Sequence, residues 1–152
     1  MRWGFNFFPA YRRTGAYITY IASDLHEVHI KLPLTWKTQN YVGTMFGGSM
    51  YASVDPIFMV MFIKLLGPEY IVWDKAATIQ FKRPGRSTLR AKFEIEISEL
   101  EVIREELKRK NALDREYRIE LLDKDGAVCA TIEKTIHFKK KDESKSQNGV
   151  SV

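Results

Sequence analysis

Cys129 is the only cysteine in 152 residues, which excludes an internal disulfide and with it the small secreted scaffolds that depend on them. A lone thiol fits the reducing cytosol. Long apolar runs are missing too. The richest stretch, Met45 to Leu66, is interrupted by Gly47, Gly48, Asp55, Pro56 and Lys64. Its longest unbroken run, Ile57 to Ile63, falls far short of the roughly 18 residues a bilayer helix needs, so a helix buried in protein is expected here and no stable membrane anchor. The aromatic N-terminus (Trp3, Phe5, Phe7, Phe8, Tyr11) lacks a continuous apolar segment followed by small residues, the mark of a secretory signal. Charge of one sign is scarce as well. The net charge is +5, of which Lys139 to Val152 carries +2, so charge alone gives no argument for nucleic acid. The three histidines show no metal-ligand spacing: His26 and His29 fall on opposite faces of a strand, His137 is remote, and no second cysteine exists, so no metal is expected. No serine stands in a Gly-x-Ser-x-Gly elbow.

What is present describes a folded protein. Hydrophobic residues make up 45%, aromatics 12% and charged residues 28% of a chain close to single-domain length. One domain over residues 1–138 is expected, with a polar, disordered, lysine-rich tail over 139–152. Met1 to Thr14 reads as a short helix or arm broken near Pro9, lying as a lid over the edge of the core. Alternating apolar residues predict strands at Ala16 to Ser23 and Glu27 to Leu32, joined at Ser23-Asp24. Ala77, Ile79 and Phe81 mark another. The run Leu89, Ala91, Phe93, Ile95, Ile97 has the cleanest period of two in the chain. Two more strands follow, one through Tyr117, Ile119 and Leu121, the other through Val128, Ala130, Ile132, Ile136 and Phe138, with Lys134 the odd member of that last face. Dense charges between Glu99 and Asn111 predict a surface helix. A helix from about Phe46 to Leu66 is apolar nearly all round and needs wrapping. One such helix and about six half-buried strands predict an α+β fold in which an antiparallel sheet curls around a central helix.

The chemistry concentrates at the start of that helix, in Asn40-Tyr41-Val42-Gly43-Thr44-Met45-Phe46-Gly47-Gly48. Two glycines allow close backbone approach where the free N–H groups and positive dipole end of a helix begin. Asp55 lies seven residues beyond Gly48, in a segment otherwise free of charge as far as Ile63, and Pro56 after it is expected to bend the helix. A carboxylate in such a helix costs several kcal/mol unless it is paired or employed. The bland alternatives are an Asp55 that accepts from a hydroxyl on a neighbouring strand, and glycines that merely cap a helix.

The pattern Asn-x-x-Gly-Thr-x-aromatic-Gly-Gly, with Asp seven residues later, resembles the signature of hotdog-fold acyl-CoA thioesterases of the phenylacetyl-CoA-degradation type. Among hotdog proteins the chain is most similar to a branch of single-domain, thioesterase-like members. The resemblance spans about Ala16 to Phe138 and implies a curled sheet around one long helix. It implies that Asp55 activates water or attacks as a nucleophile, that the Gly47 N–H holds the oxyanion, and that Asn40 orients water or the thioester. It also implies a site shared between subunits, Asp from one and Asn and Gly from the other, in a homodimer or homotetramer. Coenzyme A enters only as part of the substrate, and no separate cofactor is implied. Where many members carry His before the two glycines this chain has Phe46, which can only pack or stack beside Gly48.

Two further features come from the residues themselves. The parity of Ala77, Ile79 and Phe81, extended back along the strand, turns Lys75 inward beside Trp73. Lys75 or its neighbour Asp74 is then expected to approach Asp55, unless a bulge turns Lys75 to solvent. Lys82, Arg83 and Arg86 around Pro84-Gly85 offer guanidinium and ammonium groups to coenzyme A phosphates, or form a solvated basic tip. Tyr51, Ile57 and Phe58 could shape an acyl pocket or belong to the core. The competing functions are a non-catalytic acyl-CoA or fatty-acyl binding protein and, last, a dehydratase or isomerase on an acyl thioester, which would want a histidine.

Overall fold

The computed structural model describes residues 6–141, so the expectations for Met1 to Phe5 and for residues 142–152 lie outside the described residues. Helix α1 (Pro9–Arg13) is followed by strands β1 (Tyr17–Ile21) and β2 (Glu27–Leu32), then by helices α2 (Gly47–Val54) and α3 (Ile57–Leu66). Next come β3 (Tyr70–Phe81), β4 (Leu89–Glu94), α4 (Ile97–Arg109), β5 (Ala112–Leu122) and β6 (Val128–Lys140). The six strands form one antiparallel sheet in the order β1-β2-β4-β5-β6-β3. This is the hotdog arrangement expected from sequence.

Alternation explains which face closes on the helices. On β4, Leu89, Ala91 and Phe93 are buried while Arg90, Lys92 and Glu94 are exposed. Residues directly opposite across an antiparallel pair share a face: Val28 pairs with Phe93, Ile30 with Ala91 and Leu32 with Leu89, and all six are buried. The helical segment supplies the other half of the core. Phe58 meets Phe93 edge-on at 5.1 Å and Phe62 meets Phe138 edge-on at 5.0 Å between ring centroids, geometries that the ring quadrupole favours. Each such side chain contributes roughly 1.5–3 kcal/mol by burial. Phe58 is therefore core, and Ile57 is buried as well while bordering a small apolar cavity with Ile18, Val28 and Met61.

Two boundaries differ from expectation for local reasons. Strand β4 stops at Glu94, although the alternation runs on through buried Ile95 and exposed Glu96; Ile97, exposed, opens α4, whose Leu100, Ile103 and Leu107 are buried at helical spacing. At the other end β6 runs on to Lys140, because Lys139 and Lys140 pair with Ile71 and Tyr70 of β3. Strand β6 thus reaches past residue 138. The central helix is interrupted at Asp55-Pro56: proline has no N–H to give the preceding turn, so α2 ends and α3 begins there.

The loop between β2 and α2 is pinned from both sides. Thr38, buried, donates its hydroxyl to the Pro33 carbonyl at 2.6 Å, and its own carbonyl accepts from the Phe46 N–H at 2.8 Å. Gly15 sits against it with φ of +84°, where an added Cβ would lie 2.3 Å from the Thr38 methyl. Gly15→Ala is expected to lower stability by about 2–4 kcal/mol, from left-handed backbone strain plus overpacking. Chemical denaturation reads it as a fall in midpoint, and an unchanged midpoint would mean that Thr38 yields.

Candidate active site

The turn that leads into α2 is built by Asn40. Its Oδ1 accepts from the N–H groups of Val42 at 3.1 Å and Thr44 at 3.0 Å, and its Nδ2 donates to the Thr44 hydroxyl at 2.8 Å. Both ends of the amide thus serve the loop, while the residue also borders a cavity of about 400 Å³. That cavity is lined by Gly47, Phe81, Lys82 and Arg83 among others. Gly47 is the first residue of α2, so its N–H belongs to the turn that helix geometry leaves without intrahelical partners. A Cβ at Gly47 would come within 2.7 Å of the Phe81 ring, and one at Gly48 within 2.4 Å of the Phe46 ring. The two glycines therefore admit two phenyl rings, both more than half exposed (Phe46 54%, Phe81 58%). Arg86 is exposed and does not border this cavity; Lys82 and Arg83 do.

Asp55 borders a different cavity, of about 430 Å³, walled by Phe8, Tyr11, Ala52, Pro56, Met59 and Val60 among others. Of the aromatic arm, the described residues Phe8, Ala10, Tyr11 and Thr14 line this cavity. Buried Tyr11 donates its hydroxyl to the Ser53 carbonyl at 3.1 Å, and burial pushes its phenol above the ordinary tyrosine range. Asp55 Oδ1 accepts the Tyr51 hydroxyl at 2.7 Å, one helical turn back. It also accepts the Lys134 ammonium at 2.9 Å. The Asp55 backbone carbonyl is a further acceptor for the same ammonium, and Asp74 Oδ2 pairs with it at 2.9 Å. The Lys134 side chain is wholly buried, whereas that of Asp55 is 41% exposed. Burial, joined by the hydrogen bond to Asp55 and the negative charges of Asp55 and Asp74, raises the Tyr51 phenol, which keeps it a donor. For Asp74 burial also dominates: it pushes the carboxyl up, against the pull of Lys134 and with the push of Asp55's charge.

Lys75 is a correction. Its ammonium is more than half exposed and pairs with Asp114 at 2.5 Å on the outer face. The sheet register shifts between Asp74 and Ala76, so one extra residue resets the parity that Ala77, Ile79 and Phe81 set. Asp74 thereby turns inward, opposite Ile136, and reaches Asp55 through Lys134. Lys134 is the residue that sequence reasoning passed over. Its position among Ile132, Ile136 and Phe138 on an otherwise apolar face was the available signal. The histidines stand apart: His26 contacts the Ile95 carbonyl, His29 pairs with Glu27, and His137 pairs with Asp114 while stacking on Trp73.

Gly47 and Asp55 do not meet within one chain. Eight residues of helix separate them by about 12 Å, and their two cavities share no lining residue among the described residues. An oxyanion donor and a general base acting on one carbonyl must each lie within hydrogen-bond reach of it. Within one copy, then, the glycine turn and Asp55 open onto different cavities.

A family model described as a domain of unknown function (DUF4442) matches residues 1–138. Comparison with curated protein sequences finds no match. Among solved structures, a protein of unknown function from Pseudomonas aeruginosa, described as a probable thioesterase, is similar with a TM-score of 0.83 at 16% identity, over 92% of this chain and 93% of that one. A thioesterase from Haemophilus influenzae is similar with a TM-score of 0.67 at 16% identity, over 89% and 85%. A variant of a thioesterase from Staphylococcus aureus is similar with a TM-score of 0.61 at 15% identity, over 82% and 93%. At these identities the likeness is one of fold.

Proposed function

The chain belongs to the family described as a domain of unknown function (DUF4442), and on that premise we propose that it is a thioesterase that hydrolyses acyl-CoA with Asp55 as its catalytic carboxylate. The observation that carries this reading is the placement of Asp55. It is the one charged side chain between Gly47 and Ile63, it borders a largely apolar cavity, and its Oδ1 is doubly hydrogen-bonded. Oδ2 has no hydrogen-bond partner among the described residues and is the oxygen left for chemistry. The thioesterases among the structural relatives support the reaction class.

Oδ2 takes a proton from water, whose oxygen attacks the thioester carbonyl carbon. Alternatively Oδ2 attacks directly, and water then hydrolyses the anhydride. The oxyanion accepts from the Gly47 N–H of a second copy, and collapse expels the thiolate of coenzyme A, which takes the proton from Asp55 in the first route and a proton from solvent in the second, where Asp55 is acylated and water later splits the anhydride into the acid and the free carboxylate. A second copy is required because the half-sites stand about 12 Å apart. Strand β3 suits its docking: it is an edge strand of 12 residues, and Trp73, Ala77 and Phe81 are exposed along it. Lys82 and Arg83, beside the glycine turn, suit coenzyme A phosphates. The likeness to the phenylacetyl-CoA type puts an aromatic acyl group first in the panel to be tried.

Steady-state hydrolysis of aromatic, short and long acyl-CoA is the test. Turnover of at least one class is expected. Saturable binding of every class without turnover would instead support an acyl-CoA binding protein, the reading that Phe46 in place of a histidine favours.

A further inference from the structure

We propose that Lys134 is the positioning residue for Asp55 and that Asp74 is its balancing counter-charge: the lysine clamps Oδ1 and the backbone carbonyl of Asp55, so that Oδ2 faces the cavity. This inference deepens the hydrolase reading above and rests on it.

Lys134 lies on β6 between Ile132 and Ile136, and all three side chains are fully buried. An apolar residue is the ordinary occupant of such a position, since taking an ammonium out of water is costly unless every N–H is satisfied. Here each is: the acceptors are Asp55 Oδ1, the Asp55 carbonyl and Asp74 Oδ2. Two of those acceptors belong to the residue at which the helix is interrupted. The ammonium therefore holds both the break and the carboxylate that the break aims. Tyr51 reinforces the choice of oxygen, because its hydroxyl donates to the same Oδ1. One carboxylate oxygen carries two donors while the other carries none from the described residues.

Asp74 answers a different need. A buried lysine facing Asp55 alone would stabilise the ionised carboxylate and weaken it as a base. Asp74 shares the ammonium and brings a second negative charge to it. Its cost is visible in the fold, for Asp74 Oδ1 is buried with no hydrogen-bond partner. The ionisable groups facing Asp55 are then Tyr51 from α2, Lys134 from β6, Asp74 from β3 and Tyr11 across the cavity from α1.

The test uses Asp74→Asn, Lys134→Met and the double variant Lys134→Met/Asp74→Asn. The double variant removes a cation and an anion together, so it keeps the test decisive if Lys134→Met alone does not fold. Two quantities are read. The first is the acid limb of the kcat/KM profile with an acyl-CoA turned over by the wild type. The second is the midpoint of the Asp55 carboxyl in a 13C NMR titration of ligand-free protein. Asp74→Asn removes a negative neighbour and should move both to lower pH. The double variant removes the directly bonded cation and should move both to higher pH. It should also lose about 100-fold in kcat with KM within about threefold, as misplacement of a reacting group predicts. Unmoved midpoints in both variants, or a folded double variant with kcat within twofold of wild type, would overturn the assignment. Should the wild type turn over no thioester while the midpoints move as stated, the hydrolase reading fails and the hold of Lys134 on Asp55 stands.

Discussion

Asp55→Asn should abolish thioester hydrolysis, lowering kcat by about 10³-fold, or about 4 kcal/mol of barrier, while the protein keeps its fold. The amide matches the carboxylate in shape, and its oxygen can still accept from Tyr51 and Lys134 at the Oδ1 position. Its nitrogen can neither take a proton from water nor attack a carbonyl. The fold survives because Lys134 still has Asp74 as a full counter-charge. Circular dichroism melting and steady-state kinetics on the same preparation check both halves of the expectation. A residual rate within about tenfold of the wild type would remove Asp55 from the chemistry, leaving the architecture untouched.

Mixing two inactive variants should restore activity, the second large effect. Gly47→Val puts a side chain where a thioester carbonyl would approach the α2 N-terminus. The Phe81 ring that its Cβ would meet is exposed and free to turn aside, so the variant should fold. Alone, Gly47→Val and Asp55→Asn each spoil both sites of a symmetric dimer. In a mixed dimer one site combines the intact Asp55 of one copy with the intact glycine turn of the other. Random reassortment then gives about a quarter of the wild-type activity. Activity no greater than the sum of the two parents would show that the half-sites are not completed across copies.

Much of this architecture is legible in the sequence because burial is a property of single positions. Leu89, Ala91 and Phe93 announce their face by alternation, and the apolar rod from Gly47 to Leu66 announces that it must be wrapped. The glycine turn and Asp55 are legible for the same reason, being exceptions in their own neighbourhoods. Lys75 was misplaced because parity carried back from Phe81 cannot register an inserted residue, and the shift between Asp74 and Ala76 reverses every position before it. The exposure of Phe81 was also hidden, since its face is the inner one and only the sheet order reveals that β3 is an edge.

The amino-acid sequence alone settled that one helix lies in a curled antiparallel sheet and that Asp55 and the Asn40–Gly48 turn are its unusual features. These follow from local periodicity and from the cost of placing a charge among apolar neighbours. Only the tertiary structure decided that the charge partner of Asp55 is Lys134, 79 residues away, joined by Asp74, and that the glycine turn opens into a separate cavity. Such pairings depend on strand register and on where a bulge falls. Both are set by the joint packing of distant segments, which no window of the chain contains.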